Sequence, residues 1–317
     1  MNTISHIDIL ALQSVKGCGP AMIDRIHRNL KGSSGKDVFD TIRDLRLKPF
    51  ADIDYEDFCD LERKAEHILE RSEDMGIKAV SIFDSTYPSR LRSTTDENGK
   101  KCPPILLFYK GDLSVAELPS IAIIGTREPS PEGVKAGLFF GEKFANLGLN
   151  IVSGLAIGCD STGHRGALKV NGKTTAFLAH GLDTVFPPEN EGLAEDIVAN
   201  GGLLMSEYPV GTPVSAYRLV SRDRLQASLG DATIVIQTGI KGGTMHAANA
   251  TLEAGKPLYV VNYNEEVSWR FSDKIKGNLY LQSRGAMFIS SQTDLQALAD
   301  SLSSGRDSVD EEILILR

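Results

Sequence analysis

From residue 121 onward, short apolar runs alternate with longer stretches in which apolar residues recur at helical spacing. The short runs are rich in β-branched residues and predict strands over 121–125, 150–155, 174–180, 202–207, 232–237, 257–262 and 286–289. The longer stretches predict helices over 131–147, 161–170, 193–200, 216–229, 245–254 and 294–302. This alternation predicts an α/β fold with a doubly wound, mostly parallel sheet that is covered by helices on both faces.

The beginning of the chain shows helical spacing without strands. One helix is predicted around residues 7–15 and a second over 21–30, and between them lie Lys16, Gly17 and Gly19. Two helices joined by a G-x-G turn resemble the helix-hairpin-helix module, which binds DNA phosphates through backbone amides. A plain αα-hairpin with a glycine turn explains the same pattern, so both interpretations stay open at this point.

The chain divides into three parts on these patterns. We predict a small all-helical domain over residues 1–75, which includes an amphipathic helix at 55–71. The α/β core follows over 76–300, and its first part, 76–120, is a connector with two short strands. The acidic end of the chain, 301–317, is expected to form a mobile tail.

Composition fits a globular protein of two domains. The chain has 317 residues, of which 41% are hydrophobic and 24% charged. Its four cysteines show neither zinc-site nor disulfide spacing, and no apolar run is long enough to span a bilayer. These features predict a cytoplasmic protein without a membrane partner.

The net charge of −8 argues against a broadly basic nucleic-acid binder. Any polyanion must therefore be bound by a local basic patch. One candidate patch lies after the first core strand, where Gly125, Thr126 and Arg127 precede a helix that starts at Ser130 and Pro131. A strand, a glycine turn and a helix N-terminus form a phosphate cradle, although an ordinary βα turn has the same pattern.

Glycines, hydroxyls and basic residues also follow the other strands, and in a parallel sheet those loops meet at one edge. The predicted DNA- and phosphate-binding residues are Gly125, Thr126, Arg127, Ser153, Gly154, His164, Arg218, Arg222, Arg224, Lys241, Gly242, Gly243 and Thr244. A helix would place Arg218 and Arg222 on one face. Alternatively, the arginines of the 222–224 segment pair with nearby acids.

Catalysis is not expected from this pattern. His164, His180 and His246 follow different strands and lack metal-ligand spacing. Cys159 near His164 suggests a nucleophile with a base, but no oxyanion hole follows from the spacing. We therefore predict no catalytic residue, no metal site and no cofactor.

The order of several short motifs resembles the DNA-processing protein A family (DprA, also called Smf) over about residues 80–290. The motifs are Ile123-Ile124-Gly125-Thr126-Arg127, Val152-Ser153-Gly154-Leu155-Ala156-Ile157-Gly158-Cys159-Asp160, His164-Arg165-Gly166-Ala167-Leu168, Gly181-Leu182-Asp183, Phe186-Pro187, Ser206-Glu207-Tyr208-Pro209 and Arg222-Asp223-Arg224. The resemblance implies an extended Rossmann-like fold, single-stranded DNA binding without catalysis, a homodimer, and loading of the recombinase RecA. It also implies that Arg127 holds a DNA phosphate, with Ser153, Gly154 and residues 222–224 lining the same pocket.

This chain departs from the family pattern at several positions. Cys159 and Asp223 stand where the family usually has Ile and Asn, and Gly242-Gly243-Thr244 replaces a Ser-Gly pair. We expect this chain to be a divergent member without the C-terminal winged-helix domain of many members. A negative charge at Asp223 is expected to weaken DNA binding. Two alternatives therefore stay open: a nucleotide-sensing or antitoxin-like protein with a nucleotide ligand and a toxin partner, and a nucleoside-phosphate hydrolase.

Overall fold

The structure, a computed structural model, describes residues 3–31, 37–96, 98–264 and 272–304. Its first part contains four helices: α1 (His6–Ser14), α2 (Pro20–Lys31), α3 (Val38–Asp44) and α4 (Tyr55–Asp74). Capping boxes stabilise the starts of α1 and α4, because Ser5 and Asp54 each exchange hydrogen bonds with the residue three positions later. The predicted helices around 7–15 and at 21–30 and 55–71 are confirmed, and α3 lies within the stretch that was predicted to be helical without bounds of its own.

One sheet forms the centre of the described chain. Its nine strands are β1 (Lys78–Ser81), β2 (Leu106–Gly111), β3 (Ser120–Ile124), β4 (Asn150–Ser153), β5 (Thr174–Leu178), β6 (Leu203–Ser206), β7 (Ala232–Val235), β8 (Leu258–Val261) and β9 (Met287–Ile289). The spatial order is β1-β2-β6-β5-β4-β3-β7-β8-β9. The strands from β3 to β9 pair in parallel, whereas β1 and β2 are antiparallel additions at one edge. The predicted Rossmann-like, mostly parallel α/β fold is confirmed.

The order in which the chain adds strands to the sheet reverses between β3 and β7. From β3 the chain proceeds outward through β4, β5 and β6, and it then returns to place β7 on the other side of β3. The loops after β3 and β7 consequently diverge and leave a crevice at the carboxyl ends of the strands. Ligands bind at this point in open α/β sheets.

Helices cover both faces of the sheet. They are α5 (Pro131–Asn146), α6 (Cys159–Leu168), α7 (Glu191–Ala199), α8 (Ala216–Leu229), α9 (Gly243–Glu253), α10 (Ser272–Ser283) and a last helix over residues 295–304. On one face, Phe140 and Phe144 of α5 pack with Ile121 and Ile151 of the sheet. On the other, Leu225 of α8 packs with alternate residues of the same strands. Alternation of side chains along β-strands therefore supplies two apolar layers.

The N-terminal helices and the sheet share one core. Ile9, Ile26 and Phe58 from the helices belong to the same buried cluster as Phe108 of β2 and Leu204 of β6. The connector is also part of the sheet, because β1 and β2 extend it beyond β6. The helical part thus packs on the sheet and contributes to a common hydrophobic core.

Most predicted strand and helix positions in the core are confirmed within a few residues, but α10 was not predicted. Residues 301–304, the beginning of the expected mobile tail, continue the last helix, and residues 305–317 lie outside the described residues. No helix within the described ranges is long and apolar enough to cross a membrane.

Candidate functional site

A cavity of about 510 Å³ lies at the crevice between the loops after β3 and β7. It is bounded by the start of α9 on one side and by α8 on another. Its lining residues are Ile124, Gly125, Thr126, Arg127, Ala156, Asp160, Ala216, Leu219, Val220, Arg222, Asp223, Gln226, Thr238, Gly239, Lys241, Gly242, Gly243, Thr244 and Ala247. The position agrees with the binding crevice of doubly wound folds.

The loop after β3 is fixed by backbone contacts. The amide of Thr126 donates to the carbonyl of Gln237 at 2.7 Å, and the carbonyl of Thr126 accepts from the amide of Cys159 at 3.1 Å. Gly125 is required here because a Cβ atom would lie 2.5 Å from the sulfur of Cys159. These contacts hold the backbone of a loop whose side chain at Arg127 is exposed.

Arg127 is available to a ligand. Within the residues that the structure describes, its guanidinium makes neither a hydrogen bond nor an ion pair, although it lines the cavity. A guanidinium in this state offers planar donors that match the geometry of a phosphate. Arg127 is therefore the strongest candidate for a direct phosphate contact.

The opposite wall is the glycine-rich start of α9. Gly242 precedes the helix with φ of 132°, a conformation that favours glycine, and it provides no side-chain cap. The first amides of α9, at Gly243 and Thr244, have no intrahelical acceptor and lie at the positive, N-terminal end of the helix dipole. Lys241 is exposed beside them. Arg127, Lys241 and these amides together make an anion-binding mouth.

The floor of the cavity contains buried charges. Arg222 donates to the carbonyl of Gly154 at 2.7 Å, to the carbonyl of Phe177, and to the carboxylate of Asp223 at 3.1 Å. Burial raises the pKa of Asp160 to about 6, against the attraction of Arg222, and burial also raises the pKa of Asp223. Arg222 therefore offsets the charge of the buried carboxylates, and its Nε and Nη1 donate hydrogen bonds within the protein.

Apolar side chains surround the mouth. A small neighbouring cavity of about 110 Å³ shares Arg127, Ala156, Leu219 and Arg222 with the large one. The large exposed apolar residues in the segments around both cavities are Ile157, Phe186, Tyr217, Val220 and Ile240. Exposed apolar and aromatic groups next to a cationic site provide surfaces on which nucleobases stack.

Eight of the predicted site residues line the large cavity: Gly125, Thr126, Arg127, Arg222, Lys241, Gly242, Gly243 and Thr244. Gly154 lines the small cavity, where a Cβ atom would lie 2.6 Å from the guanidinium carbon of Arg222. The sequence prediction that these loops converge at one sheet edge agrees with this placement. Their role in binding DNA stays a prediction.

The structure does not place Ser153, His164, Arg218 or Arg224 on the walls of either cavity. Ser153 is buried and donates to the carbonyl of Ile123 at 2.6 Å. His164 is buried against Thr174, and Arg218 donates to the carbonyl of Pro213. Ser153 and His164 are buried, and Arg218 lines neither cavity, so the structure does not bring these three side chains together with the cavity residues. Their predicted part in DNA binding stays a prediction.

Arg224 points to a different partner. Both terminal nitrogens donate to the carboxylate of Glu207, at 2.6 and 2.7 Å. A bidentate pair of this kind is largely buried and fixes α8 to the loop after β6. The alternative interpretation, in which the arginines of 222–224 pair with nearby acids, agrees with the contacts of Arg224 and Arg222. Arg222 is buried and Arg224 is largely buried, so neither lies on a solvated face.

The N-terminal hairpin is separate from this site. Lys16, Gly17 and Gly19 lie in the turn between α1 and α2, which lines neither cavity. Gly17 has φ of 94°, and a Cβ atom there would contact the ring of Pro49 at 3.5 Å. The turn is thus packed against the helical part, and its predicted phosphate contact stays a prediction.

Several cavity residues were not predicted. Asp160, Gln226 and Thr238 line the cavity, and so does the α8 face formed by Ala216, Leu219 and Val220. Gln226 lies four residues after Arg222, so the helical periodicity of α8 was the available signal. No periodicity in the sequence links Asp160 to the other cavity residues, because only the fold brings the start of α6 close to Arg222.

The arrangement does not favour covalent or metal chemistry. Burial raises the pKa of Cys159 to about 12, so its thiol stays protonated, and burial lowers the pKa of His164 to about 3. Among the residues that the structure describes, no group of three or more His, Cys, Asp or Glu side chains is placed to hold a metal ion.

Residues 78–300 match the family model of the DNA recombination-mediator protein A. The chain is 34% identical to protein Smf of Escherichia coli over 203 residues, which is 64% of this chain and 50% of that protein. It is 30% identical to protein Smf of Synechocystis over 305 residues, covering 91% of this chain and 71% of that protein. The chain therefore spans about half the length of the E. coli relative.

Two solved structures share the fold over most of their length. DNA processing protein A from Streptococcus pneumoniae superposes with a TM-score of 0.73 at 25% identity, covering 93% of this chain and 98% of that one. The Helicobacter pylori protein, studied for its single-stranded DNA binding mode, gives a TM-score of 0.58 at 26% identity, covering 71% and 95%.

Proposed function

Because the chain belongs to the DNA recombination-mediator protein A family, we propose that its cavity binds the sugar-phosphate backbone of single-stranded DNA. The carrying observation is the exposed guanidinium of Arg127 at the sheet crevice, opposite the amides that start α9. Arginine and backbone amides hold phosphates without reading base sequence. The binding is accordingly independent of sequence.

The surface around the cavity favours a single strand over a duplex. Ile157, Phe186 and Tyr217 are exposed beside the cationic mouth. Bases of a single strand are free to stack on such groups, whereas the bases of a duplex are already stacked on one another. The H. pylori relative is a single-stranded DNA-binding protein, which supports the same assignment.

We place this binding in DNA processing. A protein that covers a strand without catalysis protects it and presents it to a recombinase of the RecA type. A non-catalytic role is supported by the nearby Cys159 and His164, because the buried thiol stays protonated and the imidazole is too weak a base to remove its proton. The relatives named for DNA processing support the biological setting.

The first prediction concerns Arg127. Arg127→Ala removes the exposed cation of the mouth, and we expect at least a tenfold loss of affinity for labelled oligo-dT, because a charge-assisted phosphate contact contributes about 1.5–3 kcal/mol. Affinity of the wild type should fall steeply as salt is raised, with a shallower slope for the variant. Fluorescence anisotropy across a salt series measures both quantities.

A matched control is Arg165→Ala. Arg165 is an exposed arginine on α6 that lines neither cavity, so its removal changes the net charge by the same amount. We expect less than a threefold change in oligo-dT affinity. Equal losses for both variants would show diffuse electrostatic attraction and would contradict a site at Arg127.

A second candidate function is binding of a free nucleotide. A cavity of about 510 Å³ has the size of a small-molecule site, and this observation favours the alternative. Thermal melting with nucleoside monophosphates in the presence and absence of oligo-dT separates the two. Stabilisation by a mononucleotide, without measurable oligo-dT binding, would replace our proposal with a nucleotide-sensing role.

A further inference from the structure

The charges that line the large cavity nearly cancel. Arg127, Arg222 and Lys241 are cationic, whereas Asp160 and Asp223 are carboxylates. With both carboxylates ionised, these side chains carry a net charge of about +1. A cavity built for a multiply charged anion would need a larger positive excess.

The carboxylates act on the cavity from its floor. Asp160 and Asp223 are 5% and 8% exposed, and a Cβ atom on Gly243 would lie 3.4 Å from an oxygen of Asp223. Asp223 therefore lies beside Gly243 at the start of α9. A phosphate at those amides lies within a few ångströms of a buried carboxylate, where screening by solvent is weak.

Charged or titratable groups from several elements surround Asp223, and the neutral amide of Gln226 also donates to its carboxylate. Arg222 on α8 donates to its carboxylate, Arg127 on the loop after β3 and His246 on α9 lower its pKa, and Asp160 lies on α6. Burial outweighs these attractions and raises the pKa of Asp223. The pair of carboxyls is therefore costly to ionise, and an additional negative charge nearby makes it more so.

We propose that Asp160 and Asp223 make this cavity selective for the internal phosphodiester of a strand over the terminal phosphomonoester of a nucleotide or strand end. A diester carries one negative charge, whereas a monoester carries about 1.5–2 at neutral pH. The second charge of a monoester would lie close to the carboxylate of Asp223, which repels it, whereas a diester has no second charge to place there. This inference rests on the proposed function, since it requires that the cavity holds a phosphate.

The second charge of a monoester has a measurable effect. A unit charge about 6 Å from a carboxylate, at the effective dielectric of a protein surface, changes affinity on the order of tenfold to a hundredfold. The wild type should therefore prefer a diester at pH 8. Removing the charge of Asp223 should reduce the preference by about tenfold.

The experiment compares two ligands that differ only in one methyl group, thymidine 5′-monophosphate and its methyl ester. Each competes against labelled oligo-dT at pH 8, with the wild type and with Asp223→Asn. The asparagine keeps the shape and one acceptor for Arg222, and thermal melting checks that the variant folds. In the wild type the methyl ester should displace oligo-dT at the lower concentration, and in the variant the two ligands should become similar.

Two further variants make the comparison specific. Asp160→Asn removes the second floor carboxylate and should change the ratio in the same direction. Glu128→Gln changes the formal charge by the same amount on an exposed side chain next to Arg127, and its ratio should stay within about twofold of the wild type because solvent screens that charge.

The outcomes separate this inference from the proposed function. Binding of oligo-dT with an unchanged ratio of the two ligands in Asp223→Asn and Asp160→Asn would overturn the charge selection and leave strand binding intact. An equal effect of Glu128→Gln would also overturn it, because the floor would then have no special role. Absence of oligo-dT binding by the wild type would overturn both proposals.

Discussion

The imidazole of His164 is fully buried on α6, and its Nδ1 lies 2.6 Å from the hydroxyl of Thr174. That hydroxyl donates to the carbonyl of Ile151, so the Nδ1 of His164 carries the hydrogen between them. In the described part of the chain its Nε2 has no hydrogen-bond partner. Burial, followed by the charge of Arg222, lowers the pKa of His164 to about 3.

This histidine predicts an acid-sensitive stability. Between the ordinary histidine pKa of about 6.5 and the folded value of about 3, the unfolded chain binds a proton that the folded chain excludes. The free energy of unfolding therefore decreases as pH falls through this window, by up to about 1.4 kcal/mol per pH unit. In His164→Asn this contribution is absent, so urea unfolding between pH 6.5 and 4 should show a shallower pH slope, even if the variant is less stable at pH 7.

The control for this measurement is His67→Asn, a replacement of an exposed histidine on α4. Its pH slope should equal that of the wild type. If His164→Asn also kept the wild-type slope, the imidazole of His164 would not be held neutral by burial.

Single residues explain where sequence reasoning succeeded and where it did not. Arg127 was placed correctly because its position after a buried strand fixes it at the sheet edge. Arg224 was not, because its partner, Glu207, comes from a loop that only the fold brings near. A sequence shows which side chains carry charge, whereas their partners depend on tertiary contacts.

At the level of elements, the loop after β3 and the start of α6 interlock. A Cβ atom on Gly125 would meet the sulfur of Cys159 at 2.5 Å and the carbonyl of Gln237 at 2.9 Å. A Cβ atom on Gly158, where φ is 85°, would meet the carbonyls of Thr126 and Arg127 at 2.4 and 2.6 Å. The backbone of Arg127 is therefore positioned by close contacts that only glycine permits.

We predict that Gly125→Ala destabilises the protein by about 1–3 kcal/mol, because the added methyl group overlaps buried atoms on two sides. The matched control is Gly192→Ala in α7, where a Cβ atom would have no neighbour within 4 Å. Because alanine has a higher helix propensity than glycine, Gly192→Ala should be as stable as the wild type or slightly more stable. Urea unfolding of both variants measures the difference, and equal stabilities would contradict the close contact at Gly125.

The core elements were largely predictable because the strands are short, apolar and β-branched and the helices between them are amphipathic. The exception is α10, where several apolar side chains do not face the core. Leu279 and Tyr280 are 54% and 43% exposed, so the helix lacks a clear apolar stripe. A helix that presents apolar residues outward weakens the periodic signal on which such predictions rest.

At the scale of the whole molecule, the alternation of strands and helices predicted the parallel sheet, but not its extent. The two antiparallel strands β1 and β2 extend the sheet beyond β6, and the N-terminal helices pack against the same layer. These helices were expected to form a separate domain from their spacing alone. The apolar faces of these helices do not indicate which surface they pack against, since an amphipathic helix is stabilised by burial against any apolar surface.

The edge of the sheet formed by β9 is a candidate interface for the predicted homodimer. Among the described strands β9 lies at the edge opposite β1, and Met287 and Phe288 on it are 46% and 44% exposed. Leu279 and Tyr280 of α10, the helix that precedes β9 in the chain, are also exposed. An apolar strand edge favours pairing with a further strand. A second copy of this chain would supply an identical edge, and two-fold symmetry would pair the same patch on both subunits.

We therefore expect the double variant Leu279→Asp and Phe288→Asp to shift the mass measured by light scattering from dimer towards monomer, because buried unpaired carboxylates would oppose association. The control is Met75→Asp, which places a charge on a comparably exposed apolar residue after α4, at the opposite end of the sheet order. Its mass should stay that of the wild type. If the wild type were a monomer at micromolar concentration, or if the double variant remained a dimer with an unchanged dissociation constant, the patch formed by α10 and β9 would not be the dimer interface.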